Sequence, residues 1–154
     1  RSPSIPERNS LMTQIAILYP VFALALWTIL VLCLIPVMRF RAAAKGEASV
    51  KDYRYGESST VPGYVSLPNR NYMNLLEMPV LFYVACLLIF VTASNSATLV
   101  NLAWAYVATR IIHSAIHLSY NNVMHRLAAF AASNLVLIAL WVVTALHVLG
   151  NVPA

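Results

Sequence analysis

Two groups of polar side chains interrupt a sequence that is otherwise suited to lipid. In "NRNYMNLLEMPVLFYV", residues 69–84, Arg70, Asn74 and Glu77 recur at i, i+4 and i+7, which sets all three on one face of a helix and near its polar end. Tyr106, Arg110, His113, His117 and Tyr120 then follow at steps of four, three, four and three, a second single-faced stripe reaching about three turns into the membrane. Ionisable groups at that depth cost about 2.5–3.5 kcal/mol each to insert, so they must face protein or water and be paired. Glu77 and Arg110 are the expected pair. If the two helices are neighbours, the stripes meet in a cationic cleft within the membrane, a site for an anionic ligand.

Each residue also has a plainer use. Arg70 fits an interfacial side chain that snorkels to the headgroups, and Asn74 fits a helix–helix hydrogen bond. His113 and His117, at i and i+4, aim both rings to one side as metal ligands do, with Glu77 or His125 as a further ligand. Membrane di-iron centres draw on many more histidines than the four in this chain, and no metal is assigned. Trp104, Trp141, Tyr83 and Phe90 read as packing or interface aromatics.

The elements that position these residues are membrane helices. Of 154 residues, 60% are hydrophobic and 10% charged, and the mean hydropathy of +0.73 lies outside the range of soluble domains. Ten Lys plus Arg against five Asp plus Glu give a net charge of +5, which in such a chain is a topology and headgroup signal. No basic run interleaved with aromatics lies outside the apolar segments, which argues against a nucleic-acid partner. Cys33 and Cys86 fall within apolar runs and are expected to be packing residues.

Four stretches, about residues 13–38, 71–93, 97–120 and 124–149, are long enough to cross the hydrocarbon core of a bilayer. They predict an all-α, integral membrane, antiparallel four-helix bundle forming one domain, 13–150, behind a polar tail, 1–12, that does not read as a cleaved signal peptide. Pro20 and Pro36 are expected to bend or end the first helix. Residues 39–70 form a long polar loop with both lysines and most of the acids, whereas "TASNSA" and "SYNNVMH" are short and force antiparallel neighbours. Arg39, Arg41, Lys45, Lys51, Arg54, Arg70 and Arg126 lie on the long-loop side, against Arg1 and Arg8 on the other. The positive-inside rule then predicts a cytoplasmic long loop and both termini on the opposite side.

With these motifs in place, the chain resembles the membrane-associated proteins in eicosanoid and glutathione metabolism, the MAPEG family, which includes microsomal glutathione S-transferases. The likeness runs from about Thr13 to Leu149 and rests on two motifs. Arg70, Asn74, Glu77 and Pro79 look like the family's second-helix signature, and Arg110, His117 and Arg126 in "RIIHSAIHLSYNNVMHRLA" are similar in spacing to its third- and fourth-helix signature.

The resemblance implies a homotrimer that binds glutathione as co-substrate between neighbouring subunits, and uses it as transferase or peroxidase on a lipophilic small molecule arriving from the lipid bilayer. Carried onto this chain, Arg70, Asn74, Glu77 and Arg110 hold the tripeptide, with His113 and Tyr120 on the same third-helix face and Arg39 or Arg41 at the end of the first helix. Arg126 matches the arginine that stabilises the thiolate, with His117 as its catalytic companion. A free thiol has a pKa of about 8.5, and lowering it by about two units takes about 2.7 kcal/mol of anion stabilisation, within reach of one guanidinium in a poorly hydrated cleft. The chain departs from the pattern at His117, where many members carry a tyrosine, and its first loop is longer than that of the eicosanoid synthases. That departure motivates a second reading, a non-catalytic accessory or assembly subunit of a larger membrane complex.

Overall fold

The computed structural model describes residues 14–94 and 96–150. The expected tail, 1–12, and both chain ends lie outside the described residues. Within them the chain is all-helical, with elements α1 (Leu18–Ala44), α2 (Gly63–Glu77), α3 (Pro79–Val91), α4 (Ala97–Leu118) and α5 (Val123–Gly150). Counting α2 and α3 as one segment, Gly63–Val91, four helices are long and apolar enough to cross a membrane.

α1 is apolar on every side, as a lipid-surrounded helix must be. It buries one narrow stripe, Leu24, Val31, Ile35 and Ala42, and turns Phe22, Leu26, Ile29 and Leu30 outward. Pro36 lies inside α1 without ending it, and the helix runs on to Ala44, six residues past its expected end. In lipid no water can take over the backbone groups of a broken helix, so continuing the ladder past a proline is favoured over stopping there. Arg39 and Arg41 consequently sit on the last turns of a helix and not in a loop.

The second span begins at Gly63, eight residues before the expected 71. Its polar first turns hide in the sequence because they pack above the main core: Val61 and Val65 form a small second core with Ala42, against which Ala48 and Tyr53 pack. Pro79 ends the first half of this span. It has no N–H to donate to the carbonyl four residues back, and Met78 stands between α2 and α3 as a break in the ladder.

The segment between α1 and α2 folds on itself around a 3-10 turn, Val50–Tyr53. Asp52 accepts from the Ser49 N–H at 2.7 Å and the Ser49 hydroxyl at 2.9 Å, and Tyr64 donates to Glu47. At the other end, Gln14 Nε2 donates to the Phe90 carbonyl at 2.8 Å, which sets the first described residues beside the end of α3. α4 opens on Ser96, whose hydroxyl accepts from the Leu99 N–H at 3.3 Å. The turn into α5 is built from two asparagines. Asn121 takes the left-handed conformation, φ +48°, and the Asn122 side chain accepts from the N–H groups of Met124 and His125 at 3.0 and 3.1 Å.

The main core joins Leu24 and Val31 of α1 to Leu75, Phe82 and Ile89 of the second span, Tyr106 of α4, and Leu137 and Leu140 of α5. Phe82 and Tyr106 stack at 4.8 Å. Cys86 is buried in this core and Cys33 faces outward, both as free thiols. On α5 the buried hydroxyls of Ser133 and Thr144 donate to their own helix, to Phe130 at 2.8 Å and Leu140 at 2.7 Å, so neither enters the core unpartnered.

Phe82→Ala is expected to cost about 1–3 kcal/mol, below the ~3–5 kcal/mol of a water-soluble core because the unfolded helices stay in an apolar solvent. Unfolding in mixed micelles, followed by circular dichroism, measures it. A second expectation concerns the loop. The Ser49 backbone and hydroxyl bonds hold the Asp52 carboxyl below its ordinary value of 3.8, so the order they confer is present above that value and is lost as pH falls through the lowered one. Hydrogen exchange over residues 49–60 should therefore match Asp52→Asn at low pH and be slower than in that variant near neutrality.

Candidate functional site

α2 and α4 meet through polar groups. Arg110 of α4 is fully buried, and its Nη2 donates to the main-chain carbonyl of Asn74 on α2 at 2.5 Å. One turn away, the buried Asn71 amide donates to the Ser114 hydroxyl. The expected Glu77–Arg110 ion pair does not form. Glu77 is at the end of α2 with its side chain exposed, and the one ion pair among the described residues joins Arg39 to Glu57 at 3.9 Å. Glu77 nonetheless lies within Coulombic reach of Arg110. Arg110 Nε and Nη1 are enclosed and have no acceptor.

The rest of the α4 stripe lines up behind Arg110. Tyr106 is buried beneath it against Phe82, and its hydroxyl is unpartnered. His113 and His117 are 3% and 4% exposed, with ring centroids 6.0 Å apart and both Nδ1 atoms unpartnered. They have no third His, Cys, Asp or Glu close enough to complete a metal site among the described residues. α5 closes the cleft with Phe130, whose ring lies 5.9 Å from that of His113 and 5.9 Å from the Arg110 guanidinium carbon. Arg126, one turn earlier, is half-buried and donates from Nη1 to the Asn121 side chain at 2.8 Å. Arg70 and Arg126 both lie within Coulombic reach of His117.

Arg110, His113, His117, Arg126 and Asn74 are thus brought together, while Arg70 and Glu77 flank them on the exposed edge of α2. Tyr120 is 62% exposed and meets His125, hydroxyl to Nδ1, at 3.1 Å, away from the buried stripe. Arg39 lies over the Tyr53 ring at 4.4 Å, and Arg41 is exposed on the last turn of α1. Asn71, Ser114 and Phe130 belong to the site and were not among the expected residues. Asn71 had a signal: it shares a stripe with Leu75, an apolar core position four residues on.

Two cavities lie one above the other along the seam between the second span and α5. The first, about 240 Å³, is lined by Asn74, His113, Val123, Arg126, Leu127 and Phe130. The second, about 450 Å³, is lined by Met78, Leu81, Asn134, Leu137, Ile138 and Trp141. Met78 is one turn past Asn74 and Asn134 one turn past Phe130, so the seam leads from a cationic end to an apolar one. No carboxylate lines either cavity.

An all-helical bundle of four membrane-capable segments, with buried arginine and histidine on one face, is the architecture of a multi-pass integral membrane protein. Residues 17–146 match the model of the MAPEG family, and the chain belongs to that family. Neither the curated proteins nor the solved structures give a match.

The Arg126–Asn121 contact generates a stability prediction. Asn121→Gly removes the side-chain acceptor together with the Cβ and adopts the left-handed backbone freely, whereas Asn121→Ala loses the acceptor but keeps a Cβ there without asparagine's local hydrogen bonding, at about 1–2 kcal/mol relative to glycine. Asn121→Ala is therefore expected to unfold at a lower temperature than Asn121→Gly, as read by thermal denaturation in detergent.

Proposed function

We propose that this protein binds glutathione and uses its thiolate against a lipophilic electrophile, as transferase or peroxidase, in the cleft between α2, α4 and α5. The single observation behind this reading is Arg110: a fully buried guanidinium with no carboxylate partner among the described residues, beside a cavity that continues into an apolar one. A cation left unpaired in that setting favours an anionic ligand, and the seam suits a reaction between a polar thiol donor and an oily partner. Family membership supports the same reading, because the family is glutathione-related.

In this scheme Arg110 and Arg70 hold the carboxylates of the tripeptide, and Asn74 and Glu77 hold its backbone and amino end. The thiol lies toward Arg126. Its proton leaves to water, the neutral His117 ring donates a hydrogen bond to the resulting thiolate, the sulfur attacks the electrophilic carbon as the bond to the leaving group breaks, and the leaving group takes a proton from water. With a hydroperoxide, sulfur attacks the terminal oxygen, the O–O bond breaks to give an alcohol, and a second glutathione reduces the sulfenate to water and a disulfide. The exposed Arg70 and Glu77 edge, with Arg41, is open to a neighbouring subunit, which fits a homotrimer with intersubunit sites on the cytoplasmic, long-loop side. His113 packs between His117 and Phe130 and orients the ring that donates to the thiolate.

Purified protein in detergent, titrated with glutathione while thiolate absorbance and turnover of a small general electrophile are followed, tests the scheme. The expected result is saturable binding, a thiolate fraction reduced at least tenfold by Arg126→Ala, and affinity reduced about tenfold by Arg110→Gln, the loss of roughly one charged hydrogen bond. No binding, together with a stoichiometric protein partner on purification, would instead establish the accessory-subunit reading.

A further inference from the structure

A second feature lies outside the α2–α4–α5 cleft, at the end of α1. A groove of about 280 Å³ runs along this helix and under the 3-10 turn, with apolar walls from Ile35, Phe40, Ala43 and Val50 and polar contributions from Arg39 and Tyr53. Its depth is set by α1 itself. The apolar run of that helix ends where Arg39, Arg41 and Lys45 begin, so the groove sits at the boundary between acyl chains and headgroups.

Charge in this region is unbalanced in a specific way. The three carboxylates of the segment are engaged within it: Asp52 by Ser49, Glu47 by Tyr64, and Glu57 beside Arg39. Lys51 and Arg54, the neighbours of groove residues Val50 and Tyr53, make no ion pair among the described residues. Arg39 is placed over the Tyr53 ring at 4.4 Å but has no close carboxylate contact. Glu57 is 3.9 Å away, beyond hydrogen-bond length, and Arg39 Nε and the Tyr53 hydroxyl are enclosed donors with no acceptor. An apolar slot at headgroup level, with the partly exposed Arg39 guanidinium at its mouth, calls for a ligand that is acyl chain at one end and oxyanion at the other.

We propose that this groove binds one anionic phospholipid, its acyl chain lying along α1 between Phe40 and Val50, its phosphate held by Arg39, and Lys51 and Arg54 supplying the surrounding positive field. Phosphate oxygens accept from guanidinium at about 2.7–2.9 Å, a contact Glu57 does not make. Juxtamembrane basic residues draw anionic lipids by about 1 kcal/mol each, so preference for an anionic over a zwitterionic headgroup is the signature of the site.

The test uses the full chain in lipid nanodiscs, with spin-labelled phosphatidylglycerol and phosphatidylcholine as probes and the motionally restricted fraction as readout. The expected result is at least threefold preference for phosphatidylglycerol, loss of that preference in Arg39→Gln, and loss of the restricted excess for the anionic lipid in Ala43→Phe. Ala43 is exposed on α1, so filling the groove there leaves the Arg39–Tyr53–Glu57 contacts in place. Soluble glycerol phosphate at millimolar concentration is expected not to displace the lipid. Equal restriction of the two lipids, no response to either substitution, or displacement by glycerol phosphate alone would overturn the proposal.

Discussion

The bundle is organised around the burial of one guanidinium. Arg110 lies inside a membrane-spanning helix with zero exposure, where an unpaired charge is among the costliest groups a protein can hold. Its closest acceptor is a main-chain carbonyl, Asn74 O, and reaching it requires α4 to approach the backbone of α2 directly. Asn71 and Ser114 fix the same approach one turn away. Once α2 and α4 are locked at this distance, helical periodicity alone carries His113 and His117 onto the same buried face, three and seven residues on. The polar stripe is therefore a consequence of seating Arg110, two of whose donors stay enclosed without an acceptor among the described residues.

Much of this was legible in the sequence because lipid imposes a simple rule. A span must satisfy its own backbone, so long apolar runs are helices, and their number and antiparallel order follow from length and loop size. The shared face of Arg110, His113 and His117 followed from spacing, since 3.6-residue periodicity holds regardless of packing, whereas Arg126, on α5, entered the site only through the family resemblance. What spacing could not supply was which side of each stripe turns inward. Arg70, Asn74 and Glu77 share a face, but the buried face of α2 is centred on Asn71 and Leu75, about a third of a turn away. Glu77 is consequently exposed, and a backbone carbonyl takes the place it was expected to hold at Arg110.

The helix ends were hidden for a related reason. Hydropathy marks where the hydrocarbon core begins and says little about helices that project beyond it. Gly63 to Arg70 is polar enough to read as loop, yet Val65 and Val61 close a second core on Ala42, and α1 continues past Pro36 to meet them. Two projecting helix ends and a folded strap replace what composition describes as thirty residues of polar connection. Arg39 illustrates the effect: assigned by resemblance to the tripeptide, it is positioned by Tyr53 and Glu57, neither of which its own helix could have predicted.

The break at Met78–Pro79 ties the two ends of the cleft together. Upstream of it, α2 contributes amides and charge; downstream, α3 contributes only apolar surface, and the same division falls on α5 between Arg126 and Leu137. Pro79 interrupts the hydrogen-bond ladder at that level while Met78 keeps helical dihedrals, φ −63° and ψ −34°, so the span carries on through the break, α2 packing against α4 and α3 against α5. A proline that is costly in a soluble helix is tolerated here because neighbouring helices supply the missing packing, and the one span walls both a cationic pocket, through Asn74, and an apolar one, through Met78 and Leu81.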